Sequence, residues 1–206
     1  MRPSTPIRAD LRLRDGSRAT IRPIEPGDKA LLAAAFAVLG PESRYRRFFT
    51  PLERLHDDLL AYLTEIDHHD HEALVAIDAD TGGAVGVARF LRVADDVAEP
   101  AVVVVDRWQR RGLGAALLER MADRARAEGV GRFAGVVLAQ NREAIGLIES
   151  LGAVPGECSG PELRFDVVLP QRAGAGAALL ELLRAAGAGI LAPVRVVAGR
   201  RSSDDG

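Results

Sequence analysis

Four consecutive valines, Val102–Val105, lead through Asp106-Arg107-Trp108 into Gln109-Arg110-Arg111-Gly112-Leu113-Gly114, and a helical pattern follows. β-branched side chains in a row fit a buried strand. Leu113, Leu117 and Met121 fall on one helical stripe, and Gly129 closes that helix. A glycine-containing turn therefore stands at a helix N-terminus, where the first amides have no internal acceptor and the macrodipole adds positive character. Glycines let a bulky anion approach the backbone, so the segment suits a phosphate or pyrophosphate. Two other phosphate loops do not fit. A Walker loop needs Gly-Lys, and the only lysine is Lys29. A Rossmann loop needs a third glycine where Leu117 stands.

The rest of the chain sets this unit in a mixed fold. Alternation on both sides of Asp15-Gly16 predicts a hairpin over 11–21. Pro23 to Gly27 breaks the chain, Asp28 is placed to cap an Ala/Leu-rich helix ending near Leu39, and Gly40-Pro41 stops it. Residues 42–49 form a short basic-aromatic stretch, and a second helix is expected over 53–63. Ala73–Ile77 and Ala84–Val93 read as strands around the turn Asp80–Gly83. Phe133–Leu138 reads as a strand, Asn141–Leu151 as a helix, and Leu163–Leu169 as a last strand. This order argues one mixed α/β (α+β) domain over 10–170, after a flexible N-terminus at 1–9. Residues 171–206 read as a Gly/Ala-rich linker, a short helix over 179–186 and a polar tail.

Composition removes whole classes. The chain has 206 residues, 48% apolar and 27% charged, which is a folded, soluble balance. A net charge of −2 argues against a nucleic-acid partner. One cysteine, Cys158, excludes a disulfide framework and a cysteine-only metal cage. No apolar run approaches a membrane span, and Met1–Pro6 lacks a leader's apolar stretch, so a cytoplasmic location and no membrane partner are expected. His56, His68, His69 and His71 cluster among acids, yet their spacing matches no standard ligand pattern, and no metal is expected. The acids Glu53 to Glu72 could form a rim that attracts a cationic substrate. All bases but one are arginine, 26 of 27, so a single arginine carries little signal.

Valine strand, Gln-x-x-Gly-x-Gly turn, helix, strand and an Asn-led helix together resemble the GNAT superfamily of acetyl-CoA-dependent N-acetyltransferases. The resemblance covers about residues 10–169. It implies a central, mostly antiparallel twisted sheet with a splayed cofactor cleft, flanked by helices, and acetyl-CoA as acetyl donor. Gln109, Arg110, Arg111, Gly112, Leu113, Gly114 and Ala115 would bind the pyrophosphate. Val103, Val104 and Val105 would pair with the pantetheine arm. Asn141, the only asparagine, would stand beside the cofactor. Residues 41–49 and Ala98-Glu99 are similar to the catalytic domain of bacterial protein lysine acetyltransferases, which implies a lysine-bearing protein as the amine acceptor.

Acetyl transfer needs a neutral amine, and a lysine ammonium is protonated at pH 7, so a proton acceptor is required. Glu99 is the candidate general base. It matches the glutamate of the narrower family, and period-two alternation puts it on one face with Ala101, Val103 and Val105. Pro100 beside it suggests a strand edge or bulge. Many GNAT enzymes carry a thiolate-protonating tyrosine where this chain has Ile148, which leaves water or another group for that step. A small-molecule amine acceptor and a non-catalytic acyl-CoA-binding module are the competing functions. Sequence leaves the oligomeric state open.

Overall fold

The computed structural model describes residues 8–50 and 52–169. The N-terminal hairpin joins β1, Ala9–Arg12, to β2, Arg18–Pro23. Its turn is set by Gly16 at φ 88° and by the Asp15 carboxylate, which accepts from the Ser17 amide and hydroxyl. β3, His71–Asp78, and β4, Ala84–Ala94, continue the antiparallel ladder to β5, Val97–Val104. β6, Arg132–Leu138, joins β5 in the sheet's one parallel pairing among the described residues, and β8, Glu162–Val168, and β7, Val154–Ser159, finish it. The strand order is β1-β2-β3-β4-β5-β6-β8-β7.

The pairing of β5 with β6 is the feature that matters for a site. It holds only at Val97↔Arg132 and Ala98↔Phe133, and the two strands have no further partners in each other. From Glu99 onward β5 keeps β4 on one side and has an open edge on the other. Pro100 falls just past this fork. A residue without an N–H is tolerated there because the open edge has no ladder bond to lose.

Helices cover both faces. α1, Lys29–Ala37, α2, Pro41–Phe48, and α3, Asp57–Thr64, lie on one side. There Leu32, Leu60 and Leu63 pack with Val75, Val87 and Ile24. α4, Leu113–Ala127, packs its predicted stripe of Leu113, Leu117 and Met121 on the other face, against Leu74, Ala88, Phe90 and Phe133. α5, Arg142–Ser150, sits beside α4.

Four readings change. Asp28 stands at the N-cap position of α1 but its side chain bonds no α1 amide; its carboxylate takes a bidentate Arg22 and the Glu25 amide, closing a 3-10 turn at Pro26–Asp28. The basic-aromatic stretch is helical. Its pattern is too polar to announce a core face, and it is held from outside: Arg44 donates to the Leu39, Ala37 and Glu53 carbonyls. The second helix begins only at Asp57. β7 was not expected, because Pro155 and Gly156 obscure a strand that β8 nevertheless pairs. The linker, short helix and tail over 171–206, and the first seven residues, lie outside the described residues.

Candidate active site

The fork between β5 and β6 opens a groove of about 350 Å³. One wall is the open edge of β5 at Val102–Val104. The floor is the turn before α4, and the far wall is α5. Gly112 adopts φ 94°, a left-handed geometry that disfavours any Cβ. The amides of Gly112, Leu113, Gly114 and Ala115 donate to no acceptor among the described residues, leaving four N–H groups for an anion. Gly114 is also required sterically. A Cβ there would lie 3.2 Å from Leu147 Cδ1 of α5, so glycine lets the two groove walls meet.

Side chains lock this turn. Gln109 Nε2 donates to the Val104 carbonyl at 2.9 Å, to Asp106 Oδ1 at 3.0 Å and to Ser43 Oγ at 3.2 Å. Asp106 in turn accepts from the Gly40 amide at 2.6 Å and from the Ser43 hydroxyl. The start of α2 is thereby tied to the cofactor turn. Arg111 pairs with Asp15 at 2.8 Å and lies 5.2 Å from the centre of the Trp108 ring, which anchors the β1–β2 hairpin to the same turn.

Of the residues expected to hold the cofactor, Val103, Val104, Gln109, Arg110, Gly112, Gly114, Ala115 and Asn141 line the groove. The side chains of Val105 and Leu113 are buried in the core, and Arg111 is engaged with Asp15 and Trp108, so none of these three side chains lines it. Asn141 Oδ1 accepts the Ala144 amide at 3.2 Å and so caps α5 at the groove wall. Ile148 packs partly buried against the core and offers no acid. Sequence reasoning missed Arg14, Ser43, Arg46 and Arg47 on the groove. Only the run Arg44–Phe49 hinted at the last two.

Glu99 is exposed and stands one residue beyond the last β5–β6 pair. Its Cγ lies 3.4 Å from where a Cβ on Gly135 of β6 would be, so its side chain leans across the fork over a glycine. It interacts electrostatically with Arg47 of α2.

Behind Arg47, on the α1–α3 side of the sheet, lies a smaller chamber of about 50 Å³. Its walls are mostly Leu, Phe and Val, with Arg47 and Arg89 the charged exceptions. Arg89 Nη1 donates to His71 Nε2 at 3.0 Å and Nη2 to the Leu63 carbonyl at 3.3 Å. Burial, then the nearby Arg47 charge, brings the Arg89 pKa down to about 9. Burial and the Arg89 charge push His71 down to about 4, so its ring is neutral and accepts from Arg89. Burial lowers Arg47 as well, opposed by Glu99 and Tyr62.

Of the acids expected to rim the acceptor side, Asp67, Asp70 and Glu72 are engaged elsewhere, whereas Glu53, Asp57 and Asp58 are exposed. Asp67 accepts the amides of His69, Asp70 and His71, and Asp70 takes Arg92 Nε at 2.6 Å. Glu72 is fully buried and holds Arg124 at 2.8 and 2.9 Å, in the last turn of α4 and thus at its far end from Gly112. His68 and His69 bond Glu72 and Glu128, and no group of three possible metal ligands forms among the described residues. No described helix is long and apolar enough to cross a membrane.

The groove elements, from the Gly40 turn to the end of α5, coincide with a family match. Residues 40–153 match the acetyltransferase (GNAT) family. The chain is 34% identical over 152 residues to Acetyltransferase Pat of Mycolicibacterium smegmatis, covering 73% of this chain and 45% of that protein, so it spans less than half of that relative's length. It is 31% identical over 145 residues to Acetyltransferase PA5475 of Pseudomonas aeruginosa, covering 69% of this chain and 78% of that protein. The crystal structure of the GNAT domain of S. lividans PAT superposes with a TM-score of 0.75 at 31% identity, over 81% of this chain and 99% of that one. Forked sheet, glycine turn and these matches agree: the chain belongs to the acetyltransferase (GNAT) family.

Proposed function

We propose that this chain moves an acetyl group from acetyl-CoA to a primary amine, with Glu99 as general base. The observation that carries this is the fork. It gives an open strand edge for an extended thioester arm, free amides at Gly112–Ala115 for a pyrophosphate, and a carboxylate where the strands part. Acetyl-CoA supplies the activated acyl group. The amine nitrogen attacks the thioester carbonyl, a C–N bond forms and the C–S bond breaks, and the sulfur leaves with the electron pair. Glu99 takes the amine proton directly or through water. Water protonates the thiolate, since Ile148 brings no acid. The guanidiniums of Arg47 and Arg89 also favour the neutral form of an amine that comes near them, by Coulomb repulsion of its ammonium.

The likeness of residues 41–49 and Ala98-Glu99 to protein lysine acetyltransferases supports a lysine side chain as acceptor. A small amine is the competing acceptor. Thiol release from acetyl-CoA tests the activity, with a lysine-bearing protein and a panel of small amines offered separately. Release is expected to depend on the acceptor and to fall by about 10²–10⁴ in Glu99→Gln, with acetyl-CoA affinity by calorimetry little changed. Release that survives Glu99→Gln at the wild-type rate removes Glu99 from the mechanism. Acetyl-CoA binding without acceptor-dependent release returns the non-catalytic module.

A further inference from the structure

The chamber between Arg47 and Arg89 has no role in holding a CoA arm. It lies behind the β5 edge, and of its lining only Arg47 and Val103 also face the groove. Arg47 makes no hydrogen bond or ion pair among the described residues; its only close contact of this kind is with the Phe48 ring, 4.9 Å from the guanidinium. Arg89 is buried, and both its acceptors, a neutral imidazole and a carbonyl, leave its charge uncompensated. Two guanidiniums thus share a mostly apolar space whose lining holds no carboxylate; Glu99, outside that lining, acts on Arg47 and forms no ion pair with it. Charges are not left this way without cost, because desolvation penalises each and their mutual repulsion adds to it. An anion in the chamber would relieve both.

We infer that this chamber is a carboxylate site, which binds a carboxylate carried by one of the two reactants. Size and shape point there. About 50 Å³ is room for a few heavy atoms and not for a whole reactant, so the chamber takes an appendage of a molecule held mainly in the groove or at its mouth. A planar two-oxygen group matches the guanidinium fork, and the apolar walls suit a short methylene stem. Two sources share this chemistry: the distal carboxylate of a dicarboxylic acyl-CoA, and the α-carboxylate of an amino-acid acceptor. In either case the transfer balances as above, the carboxylate being unchanged. This inference rests on the acetyl-transfer reading of the groove.

The test has two arms, each comparing a carboxylate with a neutral isostere. In the acyl arm, the dissociation constants of succinyl-CoA and butyryl-CoA are measured by calorimetry. In the acceptor arm, thiol release from acetyl-CoA is measured with leucine and methionine against their amides. A preference of about tenfold or more for the carboxylate is expected in one arm, and that arm names the source. The preference is expected to collapse in Arg89→Met and in Arg47→Gln; circular dichroism selects whichever variant is folded, and the more exposed Arg47 position keeps the test alive if Arg89→Met unfolds. Absence of preference in both arms, or a preference that persists in the folded variants, overturns the carboxylate site while leaving acetyl-CoA binding and the function above intact. Failure of wild type to bind acetyl-CoA at all overturns both.

Discussion

A single torsion carries much of the site. Gly112 at φ 94° turns the chain into α4 where Gly112, Gly114 and Ala115 line the groove, and an alanine there would hold a left-handed geometry at a cost of about 1–2 kcal/mol. Gly112→Ala is therefore expected to lower stability by that amount in urea unfolding and to weaken acetyl-CoA binding, read by calorimetry. His71 carries a different consequence. Its folded pKa, about 4, lies below the ordinary histidine value of 6.5, so between those values the unfolded chain binds the proton that the native state refuses. Stability from this group is complete above about pH 6.5 and is lost as pH falls toward 4. Glutamine at position 71 retains an acceptor for Arg89 but does not titrate. Unfolding free energies at pH 7.5 and 4.5 should then show a smaller acid loss in His71→Gln than in wild type, by on the order of 1–3 kcal/mol. An equal loss in both would show that His71 is not the group responsible. These residues differ in how they read from sequence. Gly112 stands out because a glycine between a valine strand and an apolar stripe has few other uses. His71 sits in a histidine-acid run that signals nothing until Arg89, on the next strand, is seen to reach it.

At the level of elements, what was legible was whatever is local. The α4 stripe, the β1–β2 turn and the Asn-led start of α5 each follow from a few neighbouring residues, and they stand where the pattern puts them. α2 was not legible as a helix because its stabilising contacts are distant: Arg44 reaches three carbonyls outside it, and Arg46 reaches Glu143 on α5 at 2.8 Å. In a chain where nearly every base is arginine, no charge pattern marks out Arg14, Arg47 or Arg89 from their neighbours. The contact of α4 with α5 makes a test of the groove itself. A Cβ at Gly114 already comes within 3.2 Å of Leu147, so valine there must push α5 outward or distort the turn. Gly114→Val is expected to weaken acetyl-CoA binding by about tenfold or more while far-ultraviolet circular dichroism stays native. Unchanged affinity would place the cofactor away from the α4–α5 wall.

Across the whole molecule, α4 joins two regions of opposite character. Its N-terminus gives free amides to the groove, and its last turn, about 22 Å away along a 15-residue helix, is clamped by Arg124 onto the buried Glu72 of β3. His68, the Ala73 amide and Glu128 complete that clamp, so every charge in it has a partner. The contrast with Arg47 and Arg89 is the reason for reading the two clusters differently. Compensated charge holds the sheet to α4, whereas uncompensated charge beside the fork is available to a reactant. Three of the acids that looked in sequence like a lure for cationic substrates, Asp67, Asp70 and Glu72, are in the fold this clamp and its loop, because pairing across strands decides which side of the sheet they serve. Glu72→Ala leaves Arg124 facing a buried void, and removing one partner of a buried pair costs about 3–5 kcal/mol. Urea unfolding should show that loss. For a domain whose total stability is on the order of 5–15 kcal/mol, much of the population stays folded, and its acetyl-CoA affinity is expected to match wild type because the groove lies at the other end of the helix. A folded Glu72→Ala protein with weakened acetyl-CoA binding would instead show that the two ends of α4 are coupled, and that the clamp helps to hold the glycine turn in place.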